Sequence, residues 1–405
     1  MSSSLMALDA EPAPGLHLLV GGPAAFERIL RRIDRARKSI RIRCFAWRDD
    51  ETGDTVARHL LRAAERGVSV TILKDRVGMT YEYFEGSRQS FFHKELDLAA
   101  RLQTWFLMAA YGGWGSFVQR PSALAAELIA HPNVTVLHDE KRFDHAKVYV
   151  FDDEVLILGG MGIGDDFRLA NVDFMIEIEG PEAVARFAER DAGRARFDPR
   201  RRVDFLLHSF RGEAEAEAET DAQDEGGGGS LVDHRVAMIG GARERLTIAM
   251  AYMGEPRITD ALCEAVARGV SLTLLTSQRS NVIADLNLRT CDELLRRTGA
   301  PPHLRIVLSP RMVHGKAIVV DGARVDLGSA NFTTLSHGAF EEVNVYCQDA
   351  RLAREVEEAI VHAARDGRAA ESRVRYRRIY VLVERALSRY QARRRKTART
   401  PPSAP

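Results

Sequence analysis

The stretch 145–167 reads HAKVYVFDDEVLILGGMGIGDDF, and the stretch 314–333 reads HGKAIVVDGARVDLGSANFT. Both stretches begin with the pattern H-x-K-x4-D, and the second copy lies 169 positions after the first. The pattern comprises His145, Lys147 and Asp152 in the first copy and His314, Lys316 and Asp321 in the second. A single copy is a weak signal, because roughly a few chains of this length in a hundred contain one by chance. Two copies with the same spacing indicate a duplicated half-site.

The correspondence between the two copies continues downstream at the same offset. The aligned pairs are Gly159 with Gly328, Gly160 with Ser329, and Asp173 with Glu342. Each lysine is followed by an apolar run, an acidic turn and a second apolar run, which is typical of a β-hairpin. A histidine and a lysine two positions apart on a strand project from the same face, so each hairpin presents both side chains on one side.

Upstream of each copy, the sequence repeats a strand, a helix and a second strand. In the first half, apolar residues alternate over 40–44, a helix ends near Gly67, and an apolar strand follows over 68–73. The same order occupies 246–275 in the second half. Apolar residues at helical spacing predict a further helix over 26–36. A β-α-β unit in each half predicts parallel strand pairing and a layered α/β fold.

These residue types suit covalent catalysis on a phosphodiester. Lysine ammonium groups neutralise the anionic phosphate and stabilise the pentacoordinate transition state. A histidine that attacks phosphorus divides one difficult displacement into two easier ones through a phosphohistidine. The opposing histidine protonates the leaving alkoxide and then deprotonates the incoming alcohol or water. We therefore predict that the two histidines and the two lysines face each other across one site, and we assign the two aspartates of the pattern to the same catalytic sets.

Five further positions are expected to bind the substrate or support the chemistry. Asp173 and Glu342 are suited to orient the imidazoles and fix their tautomers. Ser329 and Asn331 are suited to donate hydrogen bonds to phosphate oxygens, and Gly160 is equivalent to Ser329. We expect no cofactor and no metal ion to be needed, because no carboxylate cluster with metal-ligand spacing is evident.

Two neighbouring segments have alternative interpretations. The aromatic segment 91–117 is either an interfacial lip that admits acyl chains or a core helix with a Gly-rich turn. Asp75, which follows the strand over 68–73, is interpreted as part of a solvated turn rather than of the site.

At the two motifs the chain resembles the phospholipase D superfamily. The second copy carries the full pattern H-x-K-x4-D-x6-G-S-x-N. The first carries H-x-K-x4-D-x6-G-G followed by I-G-D-D-F, which is similar to bacterial cardiolipin synthases. The similarity covers roughly residues 15–365, apart from a linker and a stretch near 85–125. Two positions depart from the pattern, because Gly162 stands where the first motif usually has Asn and Asp173 is shorter than the usual Glu.

The resemblance implies an α/β fold of two phospholipase D-like layered α/β domains, which form a pseudo-symmetric pair with one shared active site. We predict a first domain over 12–205, an acidic Gly-rich linker over 206–230, a second domain over 231–370 and a basic amphipathic tail over 371–405.

The resemblance also implies phosphatidyl transfer of the cardiolipin synthase kind, with His145 as the favoured nucleophile. A phosphatidyl group would pass from a glycerophospholipid to this histidine and then to an alcohol. Transfer to water, the phospholipase D reaction, differs only in the acceptor. A nuclease is less favoured and nucleic acid is not an expected partner, since the net charge is only +1 and the densest basic run lies in the tail. A non-catalytic membrane-binding protein is opposed by two complete His-Lys-Asp sets.

The C-terminal segment is both basic and amphipathic. Between Arg373 and Arg399 there are 11 Lys and Arg residues and one acid, and apolar residues of 379–390 share one helical face. Such a helix either lies on an anionic membrane surface or packs on the domain. No apolar run reaches the ~18 residues of a membrane span, no secretory signal is evident, and the four cysteines are far apart. We therefore expect a cytoplasmic protein, peripheral at the inner face of the membrane.

Overall fold

The computed structural model of the chain describes residues 15–84, 89–95, 98, 101–102, 104–105, 109, 122–138, 142–208 and 230–399. Most of the predicted linker and much of the aromatic segment lie outside these residues. At 84, 89, 387 and 390–399 the structure describes the backbone alone.

The first half alternates strands and helices from residue 15 to residue 191. Its strands are β1 Gly15–Val20, β2 Ser39–Cys44, β3 Arg48–Asp49, β4 Ser69–Lys74, β5 Gln89–Ser90, β6 Val134–Leu137, β7 Val148–Phe151, β8 Val155–Gly159 and β9 Phe174–Glu179. Its helices are α1 Gly21–Arg35, α2 Glu51–Glu65, α3 Arg76–Phe84, α4 Ala123–Ala130, α5 Asp165–Leu169 and α6 Pro181–Asp191.

The second half repeats this order and ends in a long helix. Its strands are β10 Val203–His208, β11 Arg245–Met250, β12 Ser271–Ser277, β13 Leu304–Ser309, β14 Lys316–Val320, β15 Arg324–Gly328, β16 Glu342–Gln348 and β17 Arg368–Ala370. Its helices are α7 Leu231–Gly240, α8 Pro256–Ala267, α9 Ala284–Thr298, α10 Ala350–Ala363 and α11 Arg378–Arg399.

Each half forms one large mixed sheet. The first has the strand order β1-β9-β8-β7-β2-β4-β6 and the second β10-β16-β15-β14-β11-β12-β13-β17, while β3 and β5 form a separate pair. Strands β2 and β4 run parallel, as do β11 and β12. The motif strands pair antiparallel, β7 with β8 and β14 with β15. The predicted parallel units and both predicted hairpins are confirmed.

The edge strands show where the repeat begins. Strand β1 pairs with β9, and β10 pairs with β16 in the equivalent position of the second sheet. The predicted domain boundary at residue 205 therefore falls inside a strand of the second sheet. The other boundaries remain predictions.

The two sheets pack face to face around one shared apolar core. This core takes side chains from both sheets and from α6 and α10, such as Val148, Leu158, Ile176, Val184, Val319, Leu327, Val345 and Val356. Helices α1, α2 and α4 cover the outer face of the first sheet, and α7, α8 and α9 cover the outer face of the second. Each buried Val, Leu or Ile contributes about 1.5–3 kcal/mol relative to exposure, so the shared core couples the halves strongly.

Helix α11 packs on α9 and also exposes apolar side chains. Val381 is buried, and the Glu384 carboxylate accepts the backbone N–H of Leu286 at 2.6 Å. This bond satisfies a donor at the N-terminus of α9, whose own N-cap residue has no side-chain oxygen. Ile379 and Leu382 are 68% and 66% exposed. Part of the predicted amphipathic face therefore remains uncovered while the helix packs through other residues.

The aromatic segment divides between core and surface. Phe91 and Phe92 are buried, with ring centroids 5.2 Å from that of Trp47. Trp105 is 61% exposed. The start of the segment thus belongs to the core. Within the residues that the structure describes, no helix combines the length and the apolar character needed to cross a bilayer.

Candidate active site

Backbone hydrogen bonds between the two halves position both motifs. The N–H of His145 donates to the Glu341 carbonyl at 2.9 Å, and the N–H of His314 donates to the Val172 carbonyl at 2.8 Å. Each motif therefore joins the opposite half just before its strand, β7 or β14, begins. Both histidines lie in these bridging segments and not within the strands, where the sequence analysis placed them.

Each imidazole contacts a carboxylate from the opposite half. His145 Nδ1 lies 3.1 Å from both carboxylate oxygens of Glu342, and His314 Nδ1 lies 2.7 Å from Asp173 Oδ2. When Nδ1–H donates to a carboxylate, the lone pair of the neutral ring is on Nε2. The Ser329 hydroxyl donates to Glu342 at 2.5 Å and fixes that carboxylate in turn. The structure thus brings the predicted partners together crosswise.

The two lysines lie beside their histidines in the same buried region. Lys147 Nζ donates to the His145 carbonyl at 2.5 Å, and Lys316 Nζ lies 3.2 Å from His314 Nε2. Burial, and then repulsion from the Lys316 ammonium, lower the pKa of Lys147 to about 7. Burial also lowers the pKa of Lys316 to about 8, although Asp173 opposes the shift. An anion bound between these lysines would favour their charged forms.

Both imidazoles are neutral near pH 7. Burial lowers the pKa of His145, and Glu342 only partly offsets this effect. Burial and then the Lys316 ammonium lower the pKa of His314 to about 4. Although burial alone would raise the pKa of Glu342, His145 and Lys147 lower it to about 2. The site therefore presents neutral rings held by carboxylates, which is the state that a nitrogen nucleophile requires.

The two motif aspartates lie away from the imidazoles. Asp152 accepts the backbone N–H groups of residues 37–39, and Asp321 accepts those of residues 243–245. Both sit at hairpin turns with φ of 54°, a left-handed conformation that Asp tolerates. Five residues of extended chain span about 16 Å from each lysine. The catalytic assignment of these aspartates therefore does not fit the geometry, which indicates that they anchor the turns instead.

The predicted substrate-binding positions divide into two kinds. A Cβ atom at Gly160 would lie 2.3 Å from Asp173 Oδ1, so the missing side chain is what allows this carboxylate to approach. Gly160 and Ser329 thus both support the carboxylates that hold the imidazoles. Asn331 is buried, and among the described residues its Oδ1 atom has no hydrogen-bond partner. Because an amide oxygen only accepts hydrogen bonds, this atom is not the predicted phosphate contact; donation from the Asn331 amide nitrogen to a phosphate stays a prediction.

Aromatic rings surround both imidazoles at centroid distances of 4.9–6.3 Å. They are Phe45 and Phe340 at His145, and Phe167 and Tyr252 at His314. Sequence reasoning did not assign these rings to the site, because Phe167 only ends the first motif stretch and the other three come from separate segments. They exclude water and so account for much of the burial that lowers the histidine pKa values.

Gly162, which replaces the usual Asn of the first motif, has a local steric explanation. A Cβ atom at this position would lie 2.8 Å from the Phe167 ring and 3.2 Å from the Ala46 Cβ atom. Phe167 in turn packs against His314. The aromatic ring therefore fills the space next to the site that a side chain at 162 would need.

Arg43 ties the first motif to the second half. Its Nε atom donates to Asp144 at 2.8 Å, Nη1 donates to Asp191 at 2.6 Å, and Nη2 donates to Glu341 at 3.5 Å. Asp144 and Glu341 directly precede His145 and Glu342 in the chain. Asp144 and Glu341 are joined by a β-bridge, and the equivalent bridge at the other half-site joins Val172 and Val313. Arg41 and Arg43 both alternate with apolar residues in β2, so the sequence pattern did not distinguish Arg43 from the exposed Arg41.

The interpretation of Asp75 as part of a solvated turn is wrong. This residue is buried, and its carboxylate accepts the backbone N–H groups of Asp144 and Val77 at 2.5 and 2.6 Å. Burial raises the pKa of Asp75 to about 7. Asp75 thus supports the segment that leads into His145.

Within the described residues, one group has the composition of a metal site, and it lies outside the motifs. His17, Glu177 and Glu179 place potential ligand atoms within 4.8 Å of one another. Glu177 already forms ion pairs with Arg28 and Arg32 at 2.9 Å. These pairs neutralise the carboxylate that a cation would need.

The fold and this site define a class: α/β proteins in which two equivalent half-sites meet face to face. The sequence matches the family described as "Cardiolipin synthase, PLD-like domain" over residues 29–190 and 236–363. The chain therefore belongs to this phospholipase D-like family.

Several curated relatives carry the name cardiolipin synthase, and two of them illustrate the similarity. Cardiolipin synthase A of Pseudomonas aeruginosa is 27% identical over 361 residues, which cover 84% of this chain and 65% of the relative. Cardiolipin synthase B of Salmonella typhi is 24% identical over 346 residues, with coverage of 82% and 76%. This chain thus spans about two-thirds of the length of the first relative.

Two solved structures share the fold. Phosphatidylserine synthase from Haemophilus influenzae has a TM-score of 0.63 at 14% identity and covers 95% of this chain and 94% of its own. Polyphosphate kinase from Porphyromonas gingivalis has a TM-score of 0.51 at 12% identity and covers 94% and 53%. At these identities the likeness concerns the fold alone.

Proposed function

We propose that the protein is a phosphatidyltransferase of the cardiolipin synthase type, which acts on glycerophospholipid phosphodiesters through a phosphohistidine. The observation that carries the proposal is the crosswise arrangement of two neutral imidazoles, each held by a carboxylate of the opposite half, with two buried lysines. Membership of the cardiolipin synthase family supports the choice of substrate.

In the first step, Nε2 of His145 attacks the phosphorus of the donor lipid. The bond between phosphorus and the headgroup oxygen breaks, and His314 in its protonated form gives a proton to the leaving alkoxide. Lys147 and Lys316 neutralise the charge on the phosphate oxygens in the transition state. The donor phosphate favours protonation of the nearby groups, which offsets the effect of burial on the His314 pKa. The favoured assignment of His145 as nucleophile rests on the family resemblance.

In the second step, neutral His314 takes a proton from the acceptor hydroxyl, and the acceptor oxygen attacks phosphorus. The bond to His145 breaks, which releases the new phosphodiester and restores both imidazoles. With phosphatidylglycerol as donor and acceptor, the products are cardiolipin and glycerol. With water as acceptor, the product is phosphatidic acid.

We also propose that the protein works at an anionic membrane surface. The substrate resides in a bilayer, and α11 exposes Ile379 and Leu382 beside exposed Arg378. Apolar insertion together with basic side chains is the combination that holds an amphipathic helix at an anionic interface. The inner face of the membrane remains the expected location.

The test is incubation with phosphatidylglycerol vesicles and identification of products by mass spectrometry. Cardiolipin with an equivalent of glycerol supports the proposed transfer. Phosphatidic acid as the main product would assign a hydrolase at the same site, and the absence of turnover would contradict both. The His145→Asn variant serves as the control for contaminating activity.

A further inference from the structure

A cavity of about 230 Å³ lies between helix α11 and the body of the second half. Pro256, Ile283 and Leu286 supply apolar walls, and Arg385 and Arg389 of α11 line the cavity from the other side. Pockets that enclose a whole drug-sized ligand measure about 300–1,000 Å³. This cavity therefore has room for part of a ligand, such as a headgroup or a segment of a chain.

The two arginines give the cavity a positive charge that no ion pair within the described part of the chain neutralises. Among the described residues, neither Arg385 nor Arg389 forms an ion pair or a hydrogen bond with an acid. The adjacent Glu384 is turned to the N-terminus of α9, where it accepts the N–H of Leu286. Burial and then the nearby Arg289 lower the pKa of Arg385, and Glu293, which is itself paired with Arg289 and Arg297, offsets this effect only in part. An anionic group is the natural partner of this pair.

Two segments that line the cavity also carry residues of the active site. Thr333, which lines the cavity, follows Asn331 by two residues. Gly254, also in the lining, follows Tyr252 by two residues, and the Tyr252 ring lies 6.3 Å from that of His314. Met253 and Phe332 form a β-bridge that joins these two segments. The cavity therefore adjoins the segments that carry Asn331 and Tyr252.

We propose that this cavity binds one anionic glycerophospholipid, with its phosphate on Arg385 and Arg389 and the start of an acyl chain against Ile283 and Leu286. The exposed Ile379 and Leu382 of the same helix would place the cavity near the bilayer. The proposal goes beyond the proposed reaction, because binding here involves neither motif histidine. A free phosphate ion would bind the two arginines as the headgroup does, but it would make no apolar contact with Ile283 and Leu286.

Calorimetric titration with monomeric dihexanoyl phosphatidylglycerol tests the proposal. The full chain carries His314→Asn as a background, so that turnover does not consume the lipid. We expect two equivalents to bind, one at the reacting groups and one in the cavity. Adding Arg385→Gln with Arg389→Gln should weaken one of the two events by about 10- to 100-fold, because two charge-assisted contacts are lost.

Matched variants separate the cavity from general charge. Arg375→Gln with Arg378→Gln removes two exposed cations of the same region outside the cavity and should leave both events intact. Ser388→Phe keeps both arginines but fills the cavity, and it should abolish the binding event that the arginine double variant weakens. Inorganic phosphate and dihexanoyl phosphatidylcholine should bind this site at least about tenfold more weakly than the anionic lipid.

Unchanged binding by the Arg385 and Arg389 double variant would overturn the proposal, as would equal binding of phosphate or of the zwitterionic lipid. The proposed function is judged separately, on turnover by the wild-type chain. Arginine-dependent binding without turnover would support lipid binding in the cavity and reject the proposed function. Normal turnover with arginine-independent binding would support the proposed function and reject lipid binding in the cavity.

Discussion

At the scale of single residues, the crosswise pairs decide which chemistry the site offers. His145 and His314 are oriented before any substrate arrives, since each Nδ1 atom contacts a carboxylate of the opposite half. The surrounding rings and lysines keep both imidazoles neutral. The arrangement divides nucleophile and acid between two residues that are equivalent in sequence and distinct only in their surroundings.

Replacing either motif histidine should abolish turnover without unfolding the protein. We expect His145→Asn and His314→Asn each to lower kcat by at least about 10³-fold, because paired catalytic groups act as a unit. His17→Asn, at an exposed position, is the control and should leave kcat unchanged. The measurement is product formation from phosphatidylglycerol vesicles, with thermal unfolding recorded in parallel. Near-normal turnover by either motif variant would reject the two-histidine mechanism.

The lysines predict an alkaline limit to activity. In the free enzyme, Lys147 has a pKa of about 7 and Lys316 of about 8. Each is cationic below its pKa and neutral above it, so kcat/KM for an anionic lipid should fall as pH rises through about 7–8. Lys147→Arg keeps its charge and should move this limb to higher pH. A kcat/KM that is constant from about pH 6 to 9 would contradict the prediction.

The motif aspartates should affect stability and not chemistry. Burial alone would raise the pKa of Asp152, but three backbone N–H groups lower it below its usual value. A lowered folded-state pKa stabilises the protein above the unfolded value near 3.9, and this stabilisation is lost as pH falls through the folded value. We expect Asp152→Ala to lower the free energy of unfolding by about 1 kcal/mol, because replacing a capping side chain by alanine typically costs this much. Thermal melts at pH 7 should show the loss, whereas a large fall in kcat of the folded variant would restore Asp152 to the catalytic set.

Several site residues were predictable from sequence because they lie within the repeat. The histidines, the lysines and the acids Asp173 and Glu342 share one offset, and their grouping follows from placing two half-sites face to face. Arg43 and the rings of Phe45 and Phe340 were not predictable in this way. They reach the site from separate strands and loops, and only long-range packing brings them together.

At the scale of elements, helix α11 performs two structural tasks. One side packs through Val381 and Glu384 and caps α9, while Ile379 and Leu382 remain exposed. The sequence predicted an amphipathic helix but left open packing or membrane contact. Packing on the domain and contact with a membrane were both inferred from the same spacing of apolar residues. Only the contact with α9 distinguishes the buried residues of the helix from the exposed ones.

Membrane binding should depend on the exposed side of α11. We expect Ile379→Ser with Leu382→Ser to weaken co-sedimentation with anionic vesicles, because apolar insertion is reduced. Val361→Ser, at an exposed position on α10, is the matched control. These variants are preferable to a chain ending at Ser372, which would also remove the Glu384 cap and the ion pairs of Arg373 and Arg377 with α9. Equal sedimentation of the double variant and the control would exclude this side as the membrane contact.

At the scale of the whole molecule, two sheets share one core, and the site forms where they meet. The β-α-β units and hairpins were predictable because each repeats a local pattern. The crosswise exchange of carboxylates was not, since the repeat specifies equivalent halves without specifying how they pack. The bridges at 145 and 314 settle the packing, because each histidine donates its N–H to the opposite half.

The central claim is that one histidine becomes covalently bound to phosphorus while the other handles protons. Phosphatidyl p-nitrophenol tests it most directly, because its leaving group needs no proton. With His314→Asn, we predict a burst of one equivalent of p-nitrophenolate and a phosphatidyl adduct that peptide mass spectrometry locates on His145, whereas His145→Asn gives neither. An adduct on His314 in the wild-type chain, or steady release without any adduct, would contradict the assignment.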